Sequence, residues 1–258
     1  MTAAYEYLRD HDAVHVWRGR APDTLAPGDT DLLSEEELAQ ARRLGEPAAT
    51  RYASAHAALR RILAHYLGED PRDLVLGRRP CPRCAHPRHG RPRIDWPHTD
   101  LDFNLSRSGP HWLLAVLVGR QVGVDLEDGR DLDVEGASRL VMSPCELAHV
   151  DAHEGERERL HAFFRCWTRK EAVVKASGVG IITNLREVDV QPADDGPVLV
   201  GHALPTGPDT WLVEDLPVVD GVFAALARQA GTALGPVVLR RYESLDSQGE
   251  PTRGVLVP

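Results

Sequence analysis

The chain has almost no lysine. Two lysines stand against 28 arginines, and 39 acidic residues outnumber both together, for a net charge of −9. That balance argues against a nucleic-acid partner, which requires a basic footprint. Cysteine is also scarce: of four, only Cys81 and Cys84 lie close together. Four scattered thiols do not make a disulfide framework, so a reducing cytoplasm is the expected setting. No apolar run approaches the length of a membrane span, and no membrane association is expected. The N-terminal stretch MTAAYEYLRDHDAVHVWRG carries charges where a secretory signal needs an apolar core. What is present is an ordinary globular composition, 42% hydrophobic and 27% charged over 258 residues. That length suits one large domain or two modest ones.

The charge is unevenly placed. Residues 1–119 hold 16 arginines and 16 acids, whereas residues 120–258 hold 14 basic and 23 acidic residues. The arginines around 42–61 and 78–93 read mainly as solvated faces, with a phosphate-rich small ligand as their other use. Val14 to Trp17 predicts a strand. Ser34 followed by Glu37 has the form of a capping box, and Thr50 to Leu67 predicts a long helix with Tyr52, Leu59, Ile62, Leu63 and Tyr66 on one face. Residues 77–100 read as loop. LDFNLSRSG, HWLLAVLVG and QVGVDLE read as strands separated by turns at Gly109-Pro110 and Gly119. Helices broken at Ser143-Pro144 are expected over 135–161. VDVQ, PVLVG, TWLVEDL and GVFAALAR then read as strands of a second sheet, and the tail past Gly231 as one apolar run, PVVLRRYESL, followed by polar residues.

The organising stretch is FFRCWTRKEAVVKASGVGI, residues 163–181, which contains both lysines. Glu171 and Lys175 are four apart and share one helix face. In most proteins such a pair only steadies its helix. In a chain that otherwise chooses arginine, a lysine signals a need for a compact ammonium that can give up a proton. GVDLE, residues 123–127, places Asp125 and Glu127 on the same side of a strand; the pair reads either as an exposed strand face or, with a third carboxylate, as ligands for Mg²⁺. FNLSRSG, residues 103–109, offers hydroxyls and a guanidinium suited to a phosphate, although Ser and Gly also simply make turns. Cys81, Cys84, His86 and His89 in CPRCAHPRHGRP read as a polar exposed loop, with structural zinc as the alternative.

Taken together and in this order, FNLSRSG, GVDLE and WTRKEAVVKASGVGI resemble the signature motifs of the 4′-phosphopantetheinyl transferases, of the broad-specificity type that activates peptide and polyketide synthases. The resemblance spans roughly residues 10 to 230, with HGRP as the counterpart of a GKP-like element. It implies an α+β fold of two similar halves in a pseudo-twofold arrangement with the active site between them. The expected domains are 1–119, 120–230 and a tail, 231–258. It also implies Mg²⁺-dependent transfer of the phosphopantetheine arm of coenzyme A to a serine of apo acyl carrier or peptidyl carrier proteins. Adenosine 3′,5′-bisphosphate would be released. The served pathway would be polyketide, non-ribosomal peptide or fatty acid synthesis, and a chain containing both halves would work as a monomer.

Carried over by position, Asp125, Glu127 and Glu171 match the magnesium ligands. Glu171 matches the base for the carrier serine, and Lys175 the contact to the transferring phosphate. Lys170 is assigned to phosphate or carrier protein, and Arg51, Arg91, Ser106 and Arg107 match positions lining the coenzyme A phosphates. Arg107 stands where the family usually has histidine, which keeps charge but removes a group that titrates near neutrality. Trp112 and Trp167 read as core anchors. Two other readings stay open: a coenzyme A- or nucleotide-binding regulatory module without turnover, and a zinc-containing interaction module built on the Cys/His loop.

Overall fold

The run from His111 to Val118 shows no polar alternation because it fills the middle of a sheet, with strands on both sides. The computed structural model of the chain describes residues 1–86, 90–129, 133–180, 183–202, 207–231 and 234–243. In chain order its first elements are α1 (Ala3–His11), β1 (Val14–Arg20), α2 (Glu35–Arg43), α3 (Ala48–Leu67), β2 (Val75–Arg78), β3 (Pro92–Trp96), β4 (Leu101–Ser108) and β5 (His111–Val118). They are followed by β6 (Val122–Asp128), α4 (Val134–Val141), α5 (Pro144–Asp151), α6 (Glu156–Ser177), β7 (Val198–Gly201), β8 (Thr210–Asp215), β9 (Val222–Gln229) and β10 (Val237–Arg241). The fold is mixed α+β and divides into two units. One comprises Met1–Gly77, Ile94–Gly119 and Ala233–Pro258; the other comprises Arg78–Arg93 and Arg120–Thr232.

The first unit is built on the sheet β10-β1-β5-β4, with β10 parallel to β1 and the other pairs antiparallel. Ser108 faces His111 across the hairpin, and Gly109 turns it at φ 56°, a left-handed conformation that glycine adopts without a Cβ penalty. Leu59, Ile62, Leu63 and Tyr66 of α3 bury their face with Trp17, Phe103, Leu114 and Val116 of the sheet. The expected capping box is formed: Ser34 accepts from Glu37 N, and Glu37 accepts from Ser34 N. The same carboxylate accepts from Arg60 Nε at 2.8 Å and bonds His56 Nδ1 at 2.8 Å, so the residue that starts α2 also ties it to α3.

The second unit is the antiparallel sheet β6-β9-β8-β7, with α6 lying on it. Its core joins Phe163, Phe164, Cys166, Ala172 and Val173 of α6 to Val200, Trp211, Val213, Ala225 and Ala227 of the strands. The helix break at Ser143-Pro144 is a second capping box, Ser143 with Glu146.

Some elements differ from the sequence reading, for physical reasons. Helix α1 buries only Tyr5 and Leu8, too few for an apolar stripe to announce it. The loop 77–100 contains β3 and the end of β2, a two-stranded ribbon. VDVQ is not a strand: the chain makes a 3₁₀ turn at Leu185–Glu187 and continues irregularly, with Val188 and Val190 buried. In the tail, the apolar run noted past Gly231 contains β10, Val237–Arg241, whose partner is the distant β1.

The first unit is expected to be acid-sensitive. His15 is 1% exposed, with Nδ1 2.6 Å from Tyr66 Oη and Arg240 Nη2 3.3 Å from its Nε2. Burial, then the charges of Arg240 and His65, lower its pKa from 6.5 to about 3. A depressed histidine contributes stability that is full above its unfolded pKa and lost as pH falls. Stability should therefore drop by about 2 kcal/mol between pH 7 and pH 5. Urea melts at the two pH values measure this, and His15→Asn should flatten the difference.

Candidate active site

Strand β6 puts Gly123, Asp125 and Glu127 on one face and Val122, Val124 and Leu126 on the other. The carboxylate face is the one that meets α6, because a Cβ on Gly123 would overlap Ala172 O and Ala176 N of that helix. The glycine lets helix backbone rest directly on strand backbone. Two and four residues further along β6, Asp125 and Glu127 then lie beside the same helix.

Helix α6 answers with Trp167, Glu171 and Lys175, spaced by four and therefore on one face. Lys175 Nζ lies 2.5 Å from Asp125 Oδ1. Trp167 Nε1 donates to Glu127 Oε1 at 3.2 Å. Glu171 is 7% exposed, and its buried Oε1 makes no hydrogen bond. Burial first, then the negative charge of Asp125, with Lys175 opposing and Glu127 adding, raises the Glu171 carboxyl from 4.5 to about 7. The three carboxylates thus repel one another across a shared space, relieved in part by one ammonium.

That donor set fits a hard divalent cation: it is all oxygen, strongly negative, and has one buried oxygen with no hydrogen bond. Among the described residues, no group of three or more His, Cys, Asp or Glu is by itself placed to hold a metal ion. A cation that keeps several waters asks for carboxylates nearby rather than for a closed shell.

Lys170 is a correction. The sequence reading places it against phosphate or carrier protein. In the structure it is 0% exposed, paired with the equally buried Glu146 at 2.6 Å, and it donates to Leu185 O at 2.8 Å and to Val188 O. One residue along a helix is about 100° around it, so Lys170 faces α5 and the 185–188 turn rather than β6. Arg169 is likewise structural: it grips Asp215 through Nε and Nη2, each at 2.7 Å, and reaches the carbonyls of Val190, Gln191 and Asp194. These two cations fix the rotation of α6, and so aim Glu171 and Lys175.

Trp167 is more than the core anchor expected from sequence, since it holds Glu127. Its position four residues before Glu171 was the available signal. Trp112 is buried core, packed at 5.3 Å against Tyr242.

The remaining assigned residues are distributed. Arg91, in the second unit, lies with its backbone and side chain against Gly178, the left-handed cap of α6. In the first unit, the Arg107 guanidinium stands 4.6 Å over the ring of Tyr52, the residue that follows Arg51 in α3. Ser106 is buried and leaves β4 on the opposite face from Arg107, with Asp102 and Asn104, so the strand does not present the two side chains together. Of the CPRCAHPRHGRP loop, Cys81, Cys84 and His86 are described, and His89 lies outside the described residues.

Comparison with known proteins is decisive on the family. The chain is 32% identical over 222 residues to the 4′-phosphopantetheinyl transferase HetI of a Nostoc species, covering 84% of this chain and 87% of that protein. The chain belongs to the 4′-phosphopantetheinyl transferase family. A family model described as the 4′-phosphopantetheinyl transferase superfamily matches residues 121–227. This transferase is also 31% identical to a protein of a Synechocystis species named as a putative 4′-phosphopantetheinyl transferase, over 67% of this chain and 68% of that one. It is 29% identical to the transferase Sfp of Bacillus subtilis over 46% of this chain and 51% of that protein. The segment matched by the family model contains Asp125, Glu127, Glu171 and Lys175.

In this transferase, Gly123→Ala should cost about 1–3 kcal/mol, because a methyl group must be forced between packed backbones. It should also slow transfer by separating Asp125 from Lys175. Thermal melts and a transfer assay on the same preparation test both effects.

Proposed function

We propose that this enzyme transfers the 4′-phosphopantetheine arm of coenzyme A to a serine hydroxyl of apo acyl carrier and peptidyl carrier proteins and releases adenosine 3′,5′-bisphosphate. The observation that carries this reading is the Asp125/Glu127/Glu171 carboxylate group with Lys175 at its edge. So much negative charge, with one ammonium beside it, is suited to a metal-bound pyrophosphate.

Asp125, Glu127 and Glu171 would hold Mg²⁺, which when bound supplies positive charge to the pyrophosphate. Glu171 accepts the proton of the carrier serine, directly or through a water. The serine Oγ then forms its bond to the phosphorus of the phosphopantetheine arm as the bond from that phosphorus to the bridging oxygen breaks. Lys175 places its ammonium on the oxygens that gain charge and can deliver a proton to the leaving phosphate. Arg51, Arg91 and Arg107 are assigned to the phosphates of coenzyme A, whereas Ser106, buried on the opposite face of β4 from Arg107, is not. Arg107 holds charge at every working pH, so no proton transfer is assigned to it. The reading further has the enzyme acting as a monomer on carriers of polyketide, non-ribosomal peptide or fatty acid synthases.

Incubation of an apo carrier protein with the enzyme, coenzyme A and Mg²⁺ should raise the carrier's intact mass by one phosphopantetheinyl group. Chelation of Mg²⁺ should abolish the gain. Tight coenzyme A binding with no mass gain on any of several carriers would instead favour a binding module without turnover.

A further inference from the structure

The loop that follows β2 carries Cys81-Pro82-Arg83-Cys84, which the transfer chemistry does not use. Its backbone folds into a single turn: Ala85 N donates to Cys81 O at 2.8 Å, with Ala85 in the left-handed region at φ 55°. The turn carries both cysteines, three residues apart, and no disulfide joins them. Cys84 is exposed, whereas Cys81 is 2% exposed.

This loop is fastened to the C-terminal end of α6. Cys81 Sγ donates to Val179 O at 3.8 Å, and Arg83 Nη1 donates to Thr183 Oγ1 at 3.2 Å. Gly90 is packed so closely on Arg79 O that a Cβ would overlap it, and the Arg91 backbone lies against Gly178. Cys81 is therefore one anchor of a short strap reaching from the CPRC turn to the cap of α6.

The Cys81 thiol is also disposed to ionise. Burial pushes its pKa up, but the backbone N–H groups of Cys84 and Arg83, the Cys84 thiol and the Arg83 charge together bring it below the ordinary value. The other two cysteines lack this arrangement: Cys145 is exposed and remote in sequence, and burial, with the Glu146 charge, drives buried Cys166 up to about 12. Zinc would need further donors, and no third His, Cys, Asp or Glu joins the pair among the described residues.

We propose that Cys81 and Cys84 form a redox-active dithiol that closes reversibly to an intramolecular disulfide, and that closure loosens the strap on the end of α6. With a small-molecule disulfide as oxidant, the exposed Cys84 thiolate attacks one of its sulfurs and releases one thiol. The Cys81 thiolate then attacks Cys84 of the mixed disulfide and releases the second thiol. The two protein thiols lose two electrons, and their two protons end on the released thiols. Cys81 can no longer donate to Val179 O once its hydrogen is gone.

The test uses the full chain, reduced and then incubated with glutathione disulfide. The expected product is two hydrogens lighter, with peptide mapping joining Cys81 to Cys84, and dithiothreitol reverses it. Amide hydrogen exchange at Val179, Gly180 and Arg91 should become faster in the oxidised form. Cys84→Ser should form no internal disulfide and should show no oxidant-dependent change in those amides. Glutathione adducts alone on the wild-type chain would overturn the proposal, as would stoichiometric zinc that blocks oxidation. A Cys81–Cys84 disulfide with unchanged exchange at α6 would overturn the coupling.

Discussion

Replacing Lys175 with alanine should lower phosphopantetheinyl transfer by about 10²–10³-fold, the usual loss when one preorganised donor to developing charge is removed. The fold should survive, because the Lys175 side chain is 28% exposed. Asp125→Ala should be at least as damaging to transfer, since it removes both an acid from the carboxylate group and the 2.5 Å partner that aims Lys175. Lys175→Arg is the sharper test. Its guanidinium keeps the charge but is planar and does not readily give up a proton, so little rate should return if Lys175 protonates the leaving phosphate. Near-wild-type kcat in Lys175→Ala, measured by carrier mass gain at saturating coenzyme A, would remove Lys175 from the chemistry.

The second large effect concerns stability. Lys170→Met alone should destabilise the protein by about 3–5 kcal/mol, because Glu146 would be left as an uncompensated buried charge. For a chain of this size that lowers Tm on the order of 10 °C. Adding Glu146→Leu should recover part of the loss. Recovery will be incomplete because Glu146 also accepts from Ser143 N at 2.7 Å and from Val190 N at 2.9 Å. Below its lowered Tm, the Lys170→Met enzyme should keep its KM for coenzyme A. An unchanged Tm with a raised KM would return Lys170 to the ligand-contacting role read from sequence.

These two lysines mark how far the sequence could be read. Asp125, Glu127, Glu171 and Lys175 were legible because each of their elements has a fixed period: two residues on a strand, about four on a helix. The capping box at Ser34 and Glu37 and the hairpin at Gly109-Pro110 were legible for the same reason, since their determinants lie within a few residues. Lys170 and Lys175 look equivalent in sequence, both rare lysines on one apolar helix. Their roles separate only when Glu146, carried on another helix, meets one of them in the core. Trp167 gave its spacing but not its hydrogen bond to Glu127.

Sequence alone determined the family motifs and the pairing of carboxylates on β6 with an acid and a base on α6. Both depend on local periodicity or on composition. Tertiary structure alone decided that Gly123 brings α6 onto the carboxylate face, that Arg169 and Lys170 are internal struts, and that β10 completes the first sheet. Each of these depends on groups far apart in the chain, and on burial that turns a surface charge into a core constraint.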